Sequence, residues 1–254
     1  MKLRAKTIRK PEILKLAAIT LLVGIMAVFA ASCRWTVGVV RGSGDIVTGQ
    51  RSVSGFDELH FSGIGNLAIQ QGDEEKLTIE ADDNIIDLIE TDVRGGKLYI
   101  KYRRGFNVIP TSRMKFLLTV RDLDRIDLSG VGDIDCGSFQ TDDIEFNISG
   151  SGNIDFVIET GSLEVNISGL GDIRLEGKAD FHRVNISGSG KYDAKDLESN
   201  DCQIEITGLG SATVDVKDNL DVVISGAGNV YYAGDPSVTR EISGLGRIKS
   251  LLTD

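Results

Sequence analysis

The sequence predicts an all-β protein: a right-handed parallel β-solenoid with coils of about 19 residues, preceded by an irregular β-rich part containing one short helix. Three observations predict it. The unit [Ser/Thr]-Gly-x-Gly recurs at Ser62, Ser129, Ser149, Ser168, Ser187, Thr207, Ser225 and Ser243, and the last seven are 20, 19, 19, 20, 18 and 18 residues apart. Apolar residues keep fixed offsets from that unit. Thirty glycines stand against three prolines and few aromatics, the balance of many short strands joined by tight turns.

The chain opens with a targeting pattern over residues 1–32. "MKLRAKTIRKPEILK" holds six Lys or Arg and one Glu, and Leu16 to Ala31 is an unbroken apolar or neutral run. A basic start, an apolar stretch and small residues at its end mark a secretory signal. The run closes on Ala30, Ala31, Ser32 and Cys33, which resembles a bacterial lipobox with Cys33 as the lipidated first residue, although Ala30 stands where a lipobox usually carries Leu. A retained anchor helix and plain cleavage are the alternatives, the run being slightly short of the ~20 residues that span a bilayer. All three readings export the body of the protein. The lipobox reading makes it a membrane-anchored lipoprotein, periplasmic or on the cell surface.

The leader holds six of the 28 Lys and Arg and one of the 38 Asp and Glu, so the remainder carries 22 against 37, a formal −15. Such a surface repels nucleic acid, because neutralising phosphates requires clustered cations.

Residues 33–50 read as a tether, and 51–125 as irregular coils or a cap. "FDELHFSGIGNLAIQQ" sets Leu59 and Phe61 before the Ser62 corner and Leu67 and Ile69 after it; "DDNIIDLIET" then shows a helical Ile85-Ile86/Leu88-Ile89 spacing. Terminal repeats are expected to be atypical because they shield an open sheet end. From 126 to 254 the coils are regular. One residue before each corner stand Leu128, Ile148, Ile167, Ile186, Ile206, Ile224 and Ile242. Three before stand Ile126, Phe146, Val165, Val184, Ile204, Val222 and Arg240, and five after stand Ile134, Ile154, Ile173, Tyr192, Ala212, Val230 and Ile248. Alternation of period two with β-branched residues on one face means half-buried strands. Stacked coils, ~4.8 Å apart, bury such columns; the glycines serve φ > 0 or close backbone approach at a recurring corner. Arg240 in an interior column, with Lys249 nearby, suggests a second cap at the C-terminal end.

Candidate chemistry is sparse. The corner serines lack a base, since the chain has two histidines for eight corners, and read as hydroxyls bonding local backbone. His182 lies five before Ser187, one coil from Cys202; two ligands do not make a zinc site. Cys136 and Cys202 fall four coils apart, ~19 Å, and read as unpaired apolar core residues. The residues four after the corner, Asp133, Asn153, Asp172, Lys191, Ser211, Asn229 and Arg247, are too mixed for a calcium ladder. Three Asn-Ile-Ser sequons at Asn147, Asn166 and Asn185 read as a stacked asparagine ladder. No cofactor or metal is expected.

Asp135 and Asp155, both six after their corner, fall ~5 Å apart on the outer face, near the spacing of a retaining glycosidase pair. No aromatic platform accompanies them: Trp35 lies at the N-terminal end, and Tyr231 and Tyr232 several coils away.

"GSGDIVTGQRSVSGFDELHFSGIGNLAIQQGDEEKLTIEADDNIIDLIET", followed by serial "ISGxG" units, resembles the putative auto-transporter adhesin, head GIN domain family of bacterial secreted proteins and lipoproteins, from about Gly42 onward. The resemblance implies export and adhesion, and it carries over no catalytic residues. Together these readings give a non-enzymatic envelope-binding module that presents a rigid acidic surface to a glycan or envelope protein. The surface to test first is Asp133, Asp135, Asn153, Asp155, Asp172 and Arg174. A carbohydrate-active enzyme on the same wall, or a scaffold self-assembling through free strand edges, are the alternatives.

Overall fold

The computed structural model describes residues 38–251. The leader, Cys33 and Trp35 lie outside the described residues. The chain forms an all-β solenoid of about seven turns with coils of ~19 residues.

Its regular part is carried by long strands that each run from one corner to the next: β11 (Ile134–Ile148), β12 (Ile154–Ile167), β13 (Ile173–Ile186), β14 (Lys191–Ile206) and β15 (Ser211–Ile224). Neighbours pair in parallel, with Ile154 beside Ile173, Val165 beside Val184 and Ile167 beside Ile186. The three apolar columns fall inside. Leu128, Ile148, Ile167, Ile186, Ile206 and Ile224 are buried, as are the residues three before the corner from Ile126 to Val222 and five after it from Ile134 to Val230. Each fully buried aliphatic side chain contributes roughly 1.5–3 kcal/mol, so a stack of such columns supplies the driving force that no single coil could.

Coils of 18 to 20 residues stay in register because the slack is taken up on the side away from the corner. Register shifts fall at Cys136/Phe139, Arg174/Glu176, Ala194/Glu198 and Ser199/Asp201, whereas the residues flanking the corner pair without interruption. A bulge absorbs one extra residue at little cost.

The corner glycines are required chiefly for close approach. Only Gly65 (φ 138°) and Gly132 (φ 159°) have positive φ among them. At the others from Gly130 onward a Cβ would strike the preceding coil: at Gly150 it would lie 2.1 Å from the Gly130 carbonyl oxygen, and at Gly188 2.2 Å from that of Gly169. Each corner instead donates backbone N–H groups downward, as in Ser187 N–H to the Ile167 carbonyl (2.9 Å) and Ser189 N–H to that of Gly169 (3.2 Å).

The N-terminal part closes the stack. β3 (Glu58–Phe61) and β4 (Asn66–Gln71) form a coil beneath β10 (Arg125–Leu128) and β11; beneath them lie β7 (Lys97–Tyr102) and β9 (Lys115–Val120). Both outer edges are then covered by antiparallel partners. β6 (Ile89–Arg94) covers β7, and β5 (Lys76–Asp82) covers β9, with β2 (Ile46–Arg51) beyond it. Residues 38–50, read as tether, thus include β2 and β1 (Gly38–Arg41), which pairs with β8 (Phe106–Ile109).

The expected helix is a single turn, α1 (Asp83–Ile86). Ile89 enters β6 because pairing with Tyr102 satisfies its backbone better than another helical turn would. Beside α1 the buried Asp82 carboxylate accepts hydrogen bonds from Gly44 N–H (2.9 Å), Thr111 N–H (3.1 Å) and the Thr111 hydroxyl (2.5 Å). Burial raises its pKa, but these donors outweigh it and hold the group below the ordinary carboxylate value.

The C-terminal end differs from the expected cap. β17 (Ser237–Ile242) pairs only with β15, and β18 (Arg247–Ser250) only with β16 (Asn229–Ala233), so among the described residues no strand covers this edge. Arg240 and Ile242 are exposed. Arg240 in the last interior position, with its head in water, and the exposed Arg247 and Lys249 of β18 are charges of the kind that discourage edge pairing.

Candidate functional site

Two outward columns on the wall that follows the corner bring the expected residues together. In the first, Asp133, Asn153 and Asp172 sit in successive corner loops and tie each coil to the next. The Asp133 carboxylate accepts from the Asn153 amide side chain (2.9 Å) and Asn153 N–H (3.2 Å); the Asn153 Oδ1 accepts from Asp172 N–H (3.3 Å), and Asp172 from Lys191 N–H (2.8 Å). Their first task is therefore to satisfy backbone donors at the bend.

In the second column, Asp135 pairs in register with Asp155, Asp155 with Arg174, and Arg174 with Asp193. Strand spacing sets their backbones ~4.8 Å apart. Partial burial, then the charges of Asp133 and Asp155, push the Asp135 pKa up. Arg174 reaches sideways to Glu176 (3.0 Å), which holds its guanidinium more firmly protonated. Asp193 is raised by burial but pulled below the usual carboxylate value by the Lys191 ammonium, 2.7 Å away. Asn153, Asp155, Asp172, Arg174, Lys191 and Asp193 line an open hollow of about 340 Å³. A larger one, about 440 Å³, lies toward the N-terminal end, where Arg113 reaches Asp133 (3.1 Å).

Lys191 stands in the sequence-aligned column four after the corner, where it counts only against a calcium ladder; Asp193 and Arg113 were not singled out from the sequence. Asp193 continues the Asp135, Asp155 and Arg174 column by one coil and could have been found by extending it; Arg113 comes from the cap, where no repeat places it.

The wall that precedes the corner carries a polar ladder. Asn147 donates to Asp127 (2.8 Å), Asn166 to Asn147 (3.0 Å) and Asn185 to Asn166 (2.8 Å), so the three sequons form the expected stack. His60 extends it. Its Nδ1 lies 2.7 Å from Asp127 and its ring stacks on Tyr99, centroids 4.7 Å apart, while Nε2 is 3.4 Å from Glu58, close but not aligned as a hydrogen bond. His60 is thus held between carboxylates. Ser62 pairs with Ser129 (2.8 Å), and Ser168 donates to the Ile148 carbonyl of the preceding coil (3.3 Å), a cross-coil role in place of the local one expected.

Among the described residues no group of three or more His, Cys, Asp or Glu side chains is arranged to hold a metal ion. His182 does lie beside Cys202, as the coil spacing predicts, and both are buried; Cys136 and Cys202 are free thiols.

The family described as "Putative auto-transporter adhesin, head GIN domain" matches residues 55–236, which take in the corners from Ser62 to Ser225. The chain belongs to this family. A putative adhesin from Bacteroides fragilis is 27% identical and superposes with a TM-score of 0.80 over 84% of this chain and 100% of its own. A putative lipid binding protein from Parabacteroides distasonis (24% identity, TM-score 0.68, covering 84% and 99%) and a putative adhesin from Parabacteroides merdae (22%, 0.65, 84% and 99%) share the fold. No curated protein matches. In this head GIN domain the interior columns and corner glycines are committed to packing, which leaves the two outward walls as the faces open to a partner.

Proposed function

We propose that the protein is a non-enzymatic, adhesin-like binding module of the cell envelope, exported, tethered through a lipid on Cys33, and holding an envelope glycan along the wall of Asp135, Asp155, Arg174 and Asp193. One observation carries this reading: three carboxylates and a guanidinium stand in register over four successive coils, beside an open hollow, at a repeat close to the rise of one sugar in an extended polysaccharide. Charged acceptors and donors facing hydroxyl groups give hydrogen bonds of the stronger, charge-assisted kind, and these supply specificity where no aromatic platform is present. The family's adhesin name agrees with it. A lipid ligand, suggested by one relative's name, has little support here, because the interior columns are filled by buried side chains.

Asp135 favours a second reading. Its raised pKa beside a registered Asp155 has the form of an acid and nucleophile pair, and would make the same wall a retaining carbohydrate-active enzyme.

One experiment separates the two. The protein is screened on an array of envelope glycans, and every bound glycan is analysed for products. Binding without turnover is expected, and Asp155→Asn combined with Arg174→Gln should weaken it about ten-fold or more, the ~1.4 kcal/mol of a lost charged contact. Stability should change by less than about 0.5 kcal/mol, as for other surface substitutions. Unchanged binding in that variant sinks the wall as the site, and product formation abolished by Asp135→Asn establishes the enzyme instead.

A further inference from the structure

From the second corner onward the residue between the two corner glycines is exposed at every turn. The series reads Val131, Ser151, Leu170, Ser189, Leu209, Ala227, Leu245: large and small side chains alternate strictly. The large ones are bare. Val131 is 56% exposed, Leu170 and Leu209 71%, and Leu245 88%. Ile64, at the first corner, is half-buried against the core. Together they form a comb of apolar knobs, two coils or ~9.6 Å apart, with a gap over each small residue. Nothing in the fold calls for it, since the side chain at this position contributes no packing to the interior. An exposed apolar row of this length marks a surface that meets something.

We infer that the comb is a homophilic contact, in which two copies pair antiparallel, corner against corner. Symmetry and charge select this occupant. A two-fold axis parallel to the stack would set each knob against itself at the same height, Leu170 on Leu170. A two-fold axis across the stack, passing between the Leu170 and Ser189 corners, sets unlike residues together. Leu170 then meets Ser189 of the second copy, Leu209 meets Ser151, Val131 meets Ala227, and Leu245 meets the half-sunk Ile64. Knobs enter gaps along all eight corners.

The flanking columns agree in the same register. Beside the comb, Asp172 faces Lys191 of the second copy twice over, and Asn66 faces Arg247, Asp133 faces Asn229 and Asn153 faces Ser211. On the other flank His60 faces Glu241, Asn147 faces Glu205 and Asp127 faces Val223. No like charges oppose one another in either column, in a chain whose overall charge is strongly acidic. Asp155 and Arg174 lie further from the corner.

A contact one comb wide buries less than the ~1,200 Å² of a stable interface, so a single pair is weak and many pairs acting together are needed. Antiparallel pairing sends the two N-termini in opposite directions. Copies anchored on opposing surfaces could therefore be joined, a consequence that rests on the tether proposed above; the pairing itself does not.

Cross-linking of the full chain in solution tests the pairing without the tether. Ser151→Cys and Leu209→Cys chains are oxidised separately and as a mixture, with the wild-type chain giving the background from Cys33. A disulfide-linked dimer is expected in the mixture above that background and in neither variant alone, and it should vanish when Leu170→Ser is added to both. Dimers of Ser151→Cys alone would overturn the antiparallel arrangement. Absence of any dimer would overturn the pairing altogether; if the same chain then bound phosphatidylcholine vesicles through Leu170 and Leu209, the comb would be a lipid-facing edge.

Discussion

Gly188→Ala is expected to abolish the native fold or to cost more than about 4 kcal/mol, whereas Gly137→Ala should change stability by less than about 0.5 kcal/mol. Both replace a glycine in the regular part of the solenoid with the same methyl group. At Gly188 that methyl would lie 2.2 Å from the Gly169 carbonyl oxygen and 2.7 Å from that of Ser168, both backbone atoms of the coil beneath. Neither can move without separating the coils. Separation breaks the hydrogen bonds from Ser187, Gly188 and Ser189 to Ile167 and Gly169, and opens the Ile167–Ile186 contact of the interior column. At Gly137, in the β11 bulge, a Cβ meets nothing within 4 Å and φ is not positive. Helix or strand propensity cannot separate the two, so urea midpoints measured for both isolate the close approach. Equal losses would mean that the corner glycine serves flexibility instead.

His182→Leu is expected to stabilise the protein and to remove a loss of stability on acidification. His182 is fully buried, one coil from Leu163 and one from Cys202, and neither ring nitrogen has a hydrogen-bond partner among the described residues. Tyr192, whose ring meets it edge-on at 6.0 Å, also leaves its hydroxyl unpaired. Burying an unsatisfied polar group costs about 1–3 kcal/mol, and Leu163 shows that this column accepts leucine. Burial also pulls the His182 pKa down to about 4. Above pH ~6.5 the ring is neutral in both folded and unfolded chains and adds no pH dependence. As the pH falls from ~6.5 to ~4 the unfolded chain takes up a proton that the folded chain refuses, so stability is lost across that window, about 3 kcal/mol in total. Chemical denaturation at pH 7, 5.5 and 4.5 should show the wild type and His182→Leu diverging downward. Parallel curves would mean that His182 is paired or solvated in the folded state.

Much of this architecture could be read from the sequence because a solenoid repeats one solution to one problem. Every coil must bury residues at the same offsets and turn at the same place, so Ile148, Ile167 and Ile186 declare their column by alignment alone. The asparagine ladder was legible for the same reason. Where repetition stops, so does legibility. The cap is held by antiparallel pairs such as β2 with β5 and β6 with β7, whose long-range partners leave no period, and "DDNIIDLIET" offers helical spacing that strand pairing overrides after one turn. The role of the corner glycines was ambiguous because left-handed φ and close approach both demand glycine, and only the stacked coordinates distinguish them. The comb went unread for a different reason. Its residues occupy the variable position between two invariant glycines, and alternation with a period of two coils becomes conspicuous only once those side chains are seen to face outward. The binding wall is intermediate: Asp135, Asp155 and Arg174 follow from the alignment, but the neighbouring Lys191–Asp193 pair and Arg113 gain meaning only from contacts.

The claim beneath all of this is that neighbouring coils lie side by side in a single register. Glu159 pairs with Lys178, which in turn pairs with Glu198, and all three are exposed. A disulfide needs Cα atoms about 4.4–6.8 Å apart, which adjacent coils provide and coils two apart, at ~9.6 Å, do not. Intramolecular oxidation of Glu159→Cys/Lys178→Cys should be fast and nearly complete, and Glu159→Cys/Glu198→Cys should remain reduced under the same conditions. Closure of the second pair, or failure of the first, would contradict the stacking on which the fold, the wall and the comb all depend.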